Sequence, residues 1–236
     1  MAEWERRAEE KAAGRRDFAG ALRANETAVI AEMKKASPSK GVLASEYNPS
    51  RIAGLYQRGG AAALSVLTDG PFFQGSLADL EQARAAAGIP VLRKDFTIAP
   101  EHVLQAAAHG ADAILLIAAI LTEREMRDYR EAAARYGMAA LVEVHNAEEL
   151  ERAIASGPDI VGVNNRDLRT FEVSLETSLR LAERMPAGVV RVSESGIHSA
   201  ADVQRLRNAG YTAFLVGERL MKASDPAAAL AELVAA

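Results

Sequence analysis

Apolar residues along this chain are gathered into short, nearly continuous runs, and they do not alternate regularly with polar residues. The runs cover residues 29–31, 63–67, 90–92, 113–117, 139–142, 160–163, 189–192 and 213–216. Strands that are buried on both faces, between a core and a covering layer of helices, require runs of this kind. Each interval between two runs has room for a loop, a helix and a second loop.

The segments between the runs have the pattern of helices. One helix is predicted to begin at Pro49, because Asn48 is a good N-cap and proline suits the first helical position. Similar helical segments begin near Leu77 and Ala147. Most of the helical segments stop at a glycine shortly before the next run, and we expect these glycines to be left-handed C-caps. They lie at positions 59–60, 88, 110, 137, 157 and 210.

Eight buried strands that alternate with helices, joined by right-handed connections, predict an α/β protein with a closed (β/α)8 TIM barrel. The rival is an open doubly wound sheet, which should carry a glycine-rich phosphate loop after its first strand. Residues 34–41 follow the first run and contain neither a G-x-G-x-x-G nor a Walker A pattern. We therefore expect one barrel domain over residues 1–236, in which residues 1–28 form a short N-terminal helical extension.

Composition removes several functional classes. The chain has no cysteine, which excludes disulfides, thiolate nucleophiles and cysteine-ligated metals. Its four histidines show no ligand spacing, so we expect no metal. A net charge of −4 and an aromatic content of 5% argue against a nucleic-acid partner.

The chain also carries no sign of membrane targeting. Its first residues are charged and lack the apolar run of a signal peptide. No apolar stretch approaches the roughly 20 residues that span a bilayer. We expect a cytoplasmic protein without a membrane partner, and a monomer, although the sequence leaves an oligomer open.

Ionisable and amide side chains end several apolar runs, at the barrel face where such enzymes carry their chemistry. These candidate catalytic residues are Glu32, Lys34, Lys94, Glu143, Asn164 and Glu194. The chain has six lysines and twenty-two arginines among its 28 basic residues, and two of the lysines end buried runs. Burial can lower the pKa of a lysine, which would make it a proton donor near neutral pH. A single charge at a strand end is usually a solvated loop residue or part of an ion pair, but so many at one rim favour a functional cluster.

A phosphate site is expected after the last two runs. Ser195 and Gly196 follow the seventh run, and Gly217 and Glu218 follow the eighth. Barrels commonly bind phosphate there through backbone N–H groups. Either glycine alone would be explained by turn geometry, but the pair on neighbouring strands favours phosphate.

Five segments together resemble the signature of the indole-3-glycerol phosphate synthase family. They are residues 30–41 (IAEMKKASPSKG), 92–96 (LRKDF), 141–144 (LVEV), 162–168 (GVNNRDL) and 193–197 (SESGI). The resemblance runs from about Asp17 to the C-terminus. It implies a carbon–carbon lyase of tryptophan biosynthesis that converts 1-(2-carboxyphenylamino)-1-deoxyribulose 5-phosphate to indole-3-glycerol phosphate, carbon dioxide and water, without cofactor or metal.

The resemblance also implies roles for the catalytic candidates. Lys94 would be the general acid at the ribulose carbonyl, and Glu143 would stabilise the resulting cation and share in proton transfer. Lys34 would hold the substrate's carboxylate or phosphate and be the candidate second acid. Glu32 would orient Lys94 or act as the base in the dehydration.

The other candidates would bind or position the substrate. Asn164 and Glu194 would position hydroxyls and the lysines, and Ser37 in the first motif is a further binding candidate. The expected phosphate ligands are Ser195, Gly196, Gly217 and the backbone at Glu218. The expected lining of the anthranilate end is Phe73, Phe96, Arg166 and Leu168.

One departure from the family pattern concerns the N-terminal extension. The family carries a longer extension whose helix covers the site, whereas only about 28 residues precede the first predicted strand here. We expect the shorter extension to change either the affinity for substrate or the stability of the fold.

Two alternatives to the synthase remain on the sequence alone. One is another sugar-phosphate barrel enzyme, such as a phosphoribosylanthranilate isomerase, which needs an acid–base pair but not two lysines and Glu143. The other is a non-catalytic barrel whose rim charges form structural ion pairs.

Overall fold

The computed structural model describes residues 1–38, 41–43 and 46–236. Ser39 and Lys40, which belong to the first family-like motif, lie outside the described residues.

Eight parallel strands close into a barrel, in the order β1-β10-β9-β8-β7-β6-β5-β4, with β4 pairing again with β1. The barrel strands are β1 (Ala28–Met33), β4 (Ala63–Leu67), β5 (Val91–Lys94), β6 (Ala113–Ile117), β7 (Ala139–Val144), β8 (Ile160–Asn164), β9 (Val190–Glu194) and β10 (Ala213–Val216). The loop after β1 contains a small antiparallel hairpin, β2 (Ala36–Ser37) and β3 (Gly41–Val42). Each predicted apolar run is therefore a barrel strand, and the predicted fold class is confirmed.

Helices precede, connect and follow the barrel strands. They are α1 (Ala2–Ala12), α2 (Phe18–Arg23), α3 (Pro49–Arg58), α4 (Gly70–Phe73), α5 (Leu77–Ala86), α6 (Pro100–Ala108), α7 (Glu123–Arg135), α8 (Ala147–Ala155), α9 (Glu176–Ala182), α10 (Ala200–Asn208), α11 (Glu218–Lys222) and α12 (Pro226–Val234). The side chain of Asn48 accepts the N–H of Arg51, which confirms the predicted start of α3. The left-handed glycine predicted at position 88 is wrong: α5 gives way to extended backbone at Ala87, and the Gly88 N–H donates to Gln57.

Alternate strand residues belong to two separate apolar layers. On β1, Val29 and Ala31 pack outward with the surrounding helices, whereas Ala28 and Ile30 pack inside the barrel. Both layers are almost completely excluded from solvent, which explains why the runs are apolar on both faces. Met33 continues the outward series, as its position one residue beyond Glu32 predicts.

The N-terminal extension closes the bottom of the barrel, the end where the strands begin. Asp17 caps α2 by accepting the N–H of Gly20, and Phe18 and Leu22 are buried in the inner apolar layer. The extension consists of two helices, and α1 packs on α6. Substituting either buried side chain by alanine would remove the apolar plug at a cost of about 2–5 kcal/mol.

A buried charge cluster ties the same extension to the barrel, and we call Arg15, Arg16, Arg84 and Asp112 the bottom cluster. Asp112 is fully buried and accepts the Arg16 N–H at 2.8 Å, the Val91 N–H at 2.9 Å and the Arg84 guanidinium. The Arg15 guanidinium donates to three main-chain carbonyls at 2.6–3.0 Å. Nearly every polar atom of the bottom cluster thus has a protein partner.

None of the helices in the described part of the chain is both long enough and apolar enough to cross a membrane.

Candidate active site

The inward-facing positions of the strands change from apolar to polar in their last layer. Two residues beyond the buried Ile30, the same face of β1 carries Glu32. The equivalent step brings Lys94, Glu143 and Glu194 to the ends of their own strands. The strand register that buries the core therefore also directs these side chains into the mouth, the end of the barrel where the strands finish.

The mouth opens into a cavity of about 490 Å³. Every candidate residue from the sequence lines it: Glu32, Lys34, Ser37, Phe73, Lys94, Phe96, Glu143, Asn164, Arg166, Leu168, Glu194, Ser195, Gly196, Gly217 and Glu218. The volume suits a small organic molecule. We call Glu32, Lys34, Lys94, Glu143 and Glu194 the mouth cluster.

Lys94 is bound between two carboxylates. Its Nζ lies 2.6 Å from Oε2 of Glu143 and 2.7 Å from Oε2 of Glu194, and the residue is only 9% exposed. Burial by itself would lower the pKa of Lys94, but Glu143, Glu194 and the charge of Glu32 outweigh burial and raise it. The expected lowering is therefore wrong, because the lysine is surrounded by carboxylates and not by apolar groups alone.

Glu143 is held as a carboxylate. Burial opposes its charge, but Lys94 and His145 more than compensate and lower its pKa far below the usual range. Asn164 Nδ2 donates to Oε1 of Glu143 at 3.3 Å, so both carboxylate oxygens have neighbours. Glu143 can stabilise a positive charge near neutral pH but is a poor proton donor there.

Glu194 is the carboxylate poised to exchange a proton. Burial and repulsion by Glu143 outweigh the attraction of Lys94 and raise the pKa of Glu194 to about 7. Its Oε1 is buried and has no hydrogen-bond partner among the described residues. A Cβ at Gly162 would lie 2.2 Å from that oxygen, so the glycine on β8 provides the space that Glu194 occupies.

Glu32 pairs with Lys34, whose Nζ lies 2.6 Å from its Oε1. The two side chains share one face of the chain because they are two residues apart. Glu32 influences Lys94 through its charge, while its ion-pair contact is with Lys34. Gly217 has a second role here, since a Cβ at that position would lie 2.3 Å from Oε1 of Glu32.

The backbone turns sharply after β9, where phosphate binding is expected. Ser195 and Gly196 are both left-handed, with φ of 67° and 78°. Asn165 stabilises this turn, because its Nδ2 donates to the Ser195 carbonyl at 3.1 Å and to Ser193 Oγ at 3.0 Å. A Cβ on Gly196 would lie 2.6 Å from a methyl group of Val173, so a larger residue would have to displace Val173 and would also be strained at this φ.

Aromatic and aliphatic side chains from the loops after β4, β5 and β8 also line the cavity. The rings of Phe72 and Phe96 pack edge to face, with centroids 6.2 Å apart. Leu168 is 48% exposed, which leaves its side chain available to a ligand. Arg166 Nη2 lies 3.9 Å from Oε2 of Glu218 and connects the loops after β8 and β10.

Sequence reasoning missed three residues at this site. Phe72, and not only Phe73, lines the cavity, because α4 begins at Gly70 and turns both rings toward it. Asn165 is not among the residues that line the cavity, but its Nδ2 holds the Ser195 carbonyl. His145 shows no ligand spacing and so has no predicted role, although its position two residues after Glu143 places it on the same side of the chain. Among the described residues, no group of three or more His, Cys, Asp or Glu side chains is arranged to hold a metal ion.

Comparisons with known proteins by family model and by sequence identify the same family. Residues 1–233 match the family model described as indole-3-glycerol phosphate synthase. The indole-3-glycerol phosphate synthase of Koribacter versatilis is 55% identical over 207 residues, which cover 88% of this chain and 80% of that protein. The same-named protein of Aromatoleum aromaticum is 53% identical over 228 residues, covering 95% of this chain and 87% of that protein.

Solved structures share the fold at much lower identity. A 3-hexulose-6-phosphate synthase superposes with a TM-score of 0.69 at 18% identity, covering 89% of this chain and 99% of that chain. Thiamine phosphate pyrophosphorylase from Pyrococcus furiosus superposes with a TM-score of 0.65, also at 18% identity, covering 89% of this chain and 94% of that chain. These two likenesses concern the barrel alone.

Proposed function

The chain belongs to the indole-3-glycerol phosphate synthase family, and from that premise we propose how its mouth residues divide the reaction among themselves. The enzyme is a carboxy-lyase of tryptophan biosynthesis that acts on a phosphorylated small molecule. It closes the indole ring of 1-(2-carboxyphenylamino)-1-deoxyribulose 5-phosphate and releases carbon dioxide and water.

One observation supports the assignment of roles more than any other. Lys94 lies in contact with both Glu143 and Glu194, in a buried mouth that also contains the Glu32–Lys34 pair. A low-dielectric site with fixed charges of both signs can stabilise charge that develops during a reaction without reorganising solvent.

Ring closure is the step proposed for Lys94. The aromatic carbon attacks the ribulose carbonyl, and Lys94 donates a proton to the oxygen as it becomes an alkoxide. An alkoxide is a stronger base than an amine, so the raised pKa of Lys94 does not prevent the transfer. The cation left on the ring system is stabilised by Glu143, which remains ionised.

Decarboxylation follows when the bond to the carboxylate carbon breaks and its electron pair neutralises that cation. Phe96 and Leu168 line an apolar part of the cavity that weakens solvation of the carboxylate. Arg166 and Phe73 complete the proposed anthranilate end of the cavity.

Dehydration completes the indole. We assign Lys34 to protonate the departing hydroxyl and its partner Glu32 to accept the ring proton, because the two lie 2.6 Å apart. Asn164 holds Glu143 in place at 3.3 Å. Glu194 is suited to return a proton to Lys94, since its pKa of about 7 matches neutral pH.

The phosphate group is assigned to the turn after β9 and the start of α11. Ser195, Gly196, Gly217 and Glu218 line the cavity from the loops after β9 and β10, and Ser37 lines it from the loop after β1. The left-handed backbone at Ser195 and Gly196 supports the assignment, because such turns form concave anion sites.

Three wider properties are also proposals. We propose that residues 1–236 act as one domain, since the N-terminal extension supplies part of the inner core. We further propose a monomer, and a cytoplasmic location in keeping with a biosynthetic enzyme.

The activity assay is direct. Adding 1-(2-carboxyphenylamino)-1-deoxyribulose 5-phosphate to the purified chain should produce indole fluorescence and an equal amount of carbon dioxide. Fluorescence without carbon dioxide, or neither signal from a folded sample, would contradict the proposed reaction.

A further inference from the structure

His145 lies immediately after β7, behind Glu143, and is not part of the cavity lining. Its side chain is 11% exposed, and its Nε2 lies 3.4 Å from Oε1 of Glu143. The roles proposed above do not use this residue. A buried imidazole this close to a reacting carboxylate nevertheless affects that carboxylate's charge and orientation.

The other side of the imidazole is fixed by α8. Its Nδ1 lies 3.0 Å from Oε2 of Glu149, and the same oxygen accepts the His145 N–H at 2.8 Å. Glu149 is itself held by Asn146, the N-cap of α8, whose Nδ2 donates to Oε1 at 2.6 Å. The ring therefore has little freedom to rotate.

These contacts favour the doubly protonated ring. With Nδ1–H donated to Glu149, a neutral ring would turn the lone pair of Nε2 toward the carboxylate of Glu143, which is repulsive. A second proton on Nε2 converts that repulsion into an ion pair. Burial lowers the pKa of His145, but the two carboxylates outweigh burial and raise it to about 9.

The charged groups around His145 come from several elements. Glu143 faces it from its own strand, Glu149 faces it from α8, and Asp167 in the loop after β8 feels its charge. Lys94 acts on it from β5 through the shared partner Glu143. The two ion-pair partners of the ring, Glu143 and Glu149, are both carboxylates and favour a cation.

We propose that His145, held as an imidazolium by Glu149, is a positioning residue that keeps Glu143 ionised and directed at Lys94 from behind the cavity. The inference rests on the proposed roles of Glu143 and Lys94. Glu143 is thereby placed between two cations, one on each carboxylate oxygen, and only Lys94 faces the substrate.

Nuclear magnetic resonance of the imidazole tests the charge. The ring of His145 should stay doubly protonated through pH 8 and titrate near pH 9 in the full-length chain. Because coupling between two sites is reciprocal, Glu143→Gln and Glu149→Gln should each move that titration to lower pH. The proposal is wrong if the His145 imidazole titrates at its ordinary pKa, or if neither substitution changes its titration. This test does not require His145→Gln to fold.

Kinetics test the consequence. His145→Gln should lower kcat by about 10- to 100-fold, by analogy with the loss seen when the hydrogen-bond partner behind a metal ligand is removed. KM should stay within about twofold, since the residue does not line the cavity. The acid limb of the pH–rate profile should move to higher pH, because Glu143 loses a neighbouring cation.

His109 offers a matched control. Its Nδ1 lies 2.9 Å from Oε1 of Glu81 on the outer helices, so His109→Gln removes a similar contact far from the mouth. It should change neither kcat nor the pH profile. If the parent is active and the pH–rate profile of His145→Gln equals that of the parent, this inference alone is wrong. If the parent is inactive, the proposed function is wrong.

Discussion

The two ends of the barrel each contain buried charges, but the charges are satisfied in different ways. In the bottom cluster, Asp112 accepts hydrogen bonds from two backbone N–H groups and from Arg84, and Arg15 donates only to carbonyls. In the mouth cluster, Lys94 and its two glutamates contact one another, and Oε1 of Glu194 has no partner among the described residues.

The difference separates charges that hold the fold from charges that carry out chemistry. A buried charge that is fully hydrogen-bonded to backbone fixes the segments it joins, and its removal leaves orphaned groups. A buried carboxylate with a free oxygen and a pKa near 7 costs stability and is kept for another reason. Burial alone does not distinguish the bottom cluster from the mouth cluster. The two clusters differ in how many of their buried polar atoms have hydrogen-bond partners.

The largest expected effect is on activity. Lys94→Ala should lower kcat by about 10²- to 10⁴-fold, the range that general acid catalysis contributes. The fold should survive, because Glu194 can take up a proton when its cation is removed. Steady-state indole fluorescence and circular dichroism measure the two quantities. A kcat within tenfold of the parent would mean that Lys94 is a structural ion-pair partner.

The opposite result is expected at the bottom cluster. Asp112→Ala leaves the N–H groups of Val91 and Arg16 and the Arg84 guanidinium without their partner, and should cost about 3–5 kcal/mol of unfolding free energy. Asp128→Ala is the control: Asp128 forms an exposed pair with Arg124 at 3.5 Å, and such pairs contribute at most about 0.5 kcal/mol. Urea unfolding measures both. Equal losses in the two variants would contradict the structural role of Asp112.

The pH dependence of stability offers a third comparison. The pKa of His145 is raised in the folded chain, so its stabilising contribution is fully present below about pH 6.5 and disappears as the pH rises through about 9. The unfolding free energy of the parent relative to His145→Gln should therefore fall by about 3 kcal/mol over that range. Urea unfolding at several pH values tests this, and a pH-independent difference would exclude the charged state.

The smallest effects concern the space for Glu194. Gly162→Ala would place a Cβ 2.2 Å from Oε1 of Glu194, and displacing a reacting group by about 1 Å costs up to about 100-fold in kcat. Gly54→Ala, in the middle of α3, meets only Arg58 at 3.5 Å. That control should stabilise the chain by about 0.4–1 kcal/mol without changing kcat. Unchanged kcat in Gly162→Ala would show that Glu194 needs no fixed position.

The fold was predictable because continuous apolar runs directly indicate strands that are buried on both faces. The mouth residues were predictable for the same reason: Glu32 and Glu143 interrupt runs where apolar residues belong. The contacts that these residues make were harder to predict from the sequence, because the contact between Lys94 and Glu194 joins residues a hundred positions apart. The direction of the Lys94 pKa shift depends on its contacts with Glu143 and Glu194, which the residue types at the strand ends do not reveal.

Other features needed the three-dimensional structure altogether. The role of His145 follows from Glu149, which α8 brings back against it, and a lone histidine carries no such signal. Gly162 is a glycine for the sake of a side chain on the neighbouring strand, and Gly88 lacks the left-handed backbone that its position suggests. Packing between neighbouring strands explains Gly162, and the position at which α5 ends explains Gly88.

The paired unfolding and kinetic analysis of Glu194→Gln and Asp112→Asn at pH 8 tests the contrast between the two clusters most directly. The ionisation of Glu194 costs stability increasingly between its ordinary pKa of 4.5 and its raised pKa of about 7, and the full cost is present at pH 8. The glutamine variant should therefore gain up to about 3 kcal/mol at pH 8 while losing activity. Asp112→Asn should lose stability and retain kcat. If Glu194→Gln loses stability while kcat is preserved, the mouth cluster is structural and the account is wrong.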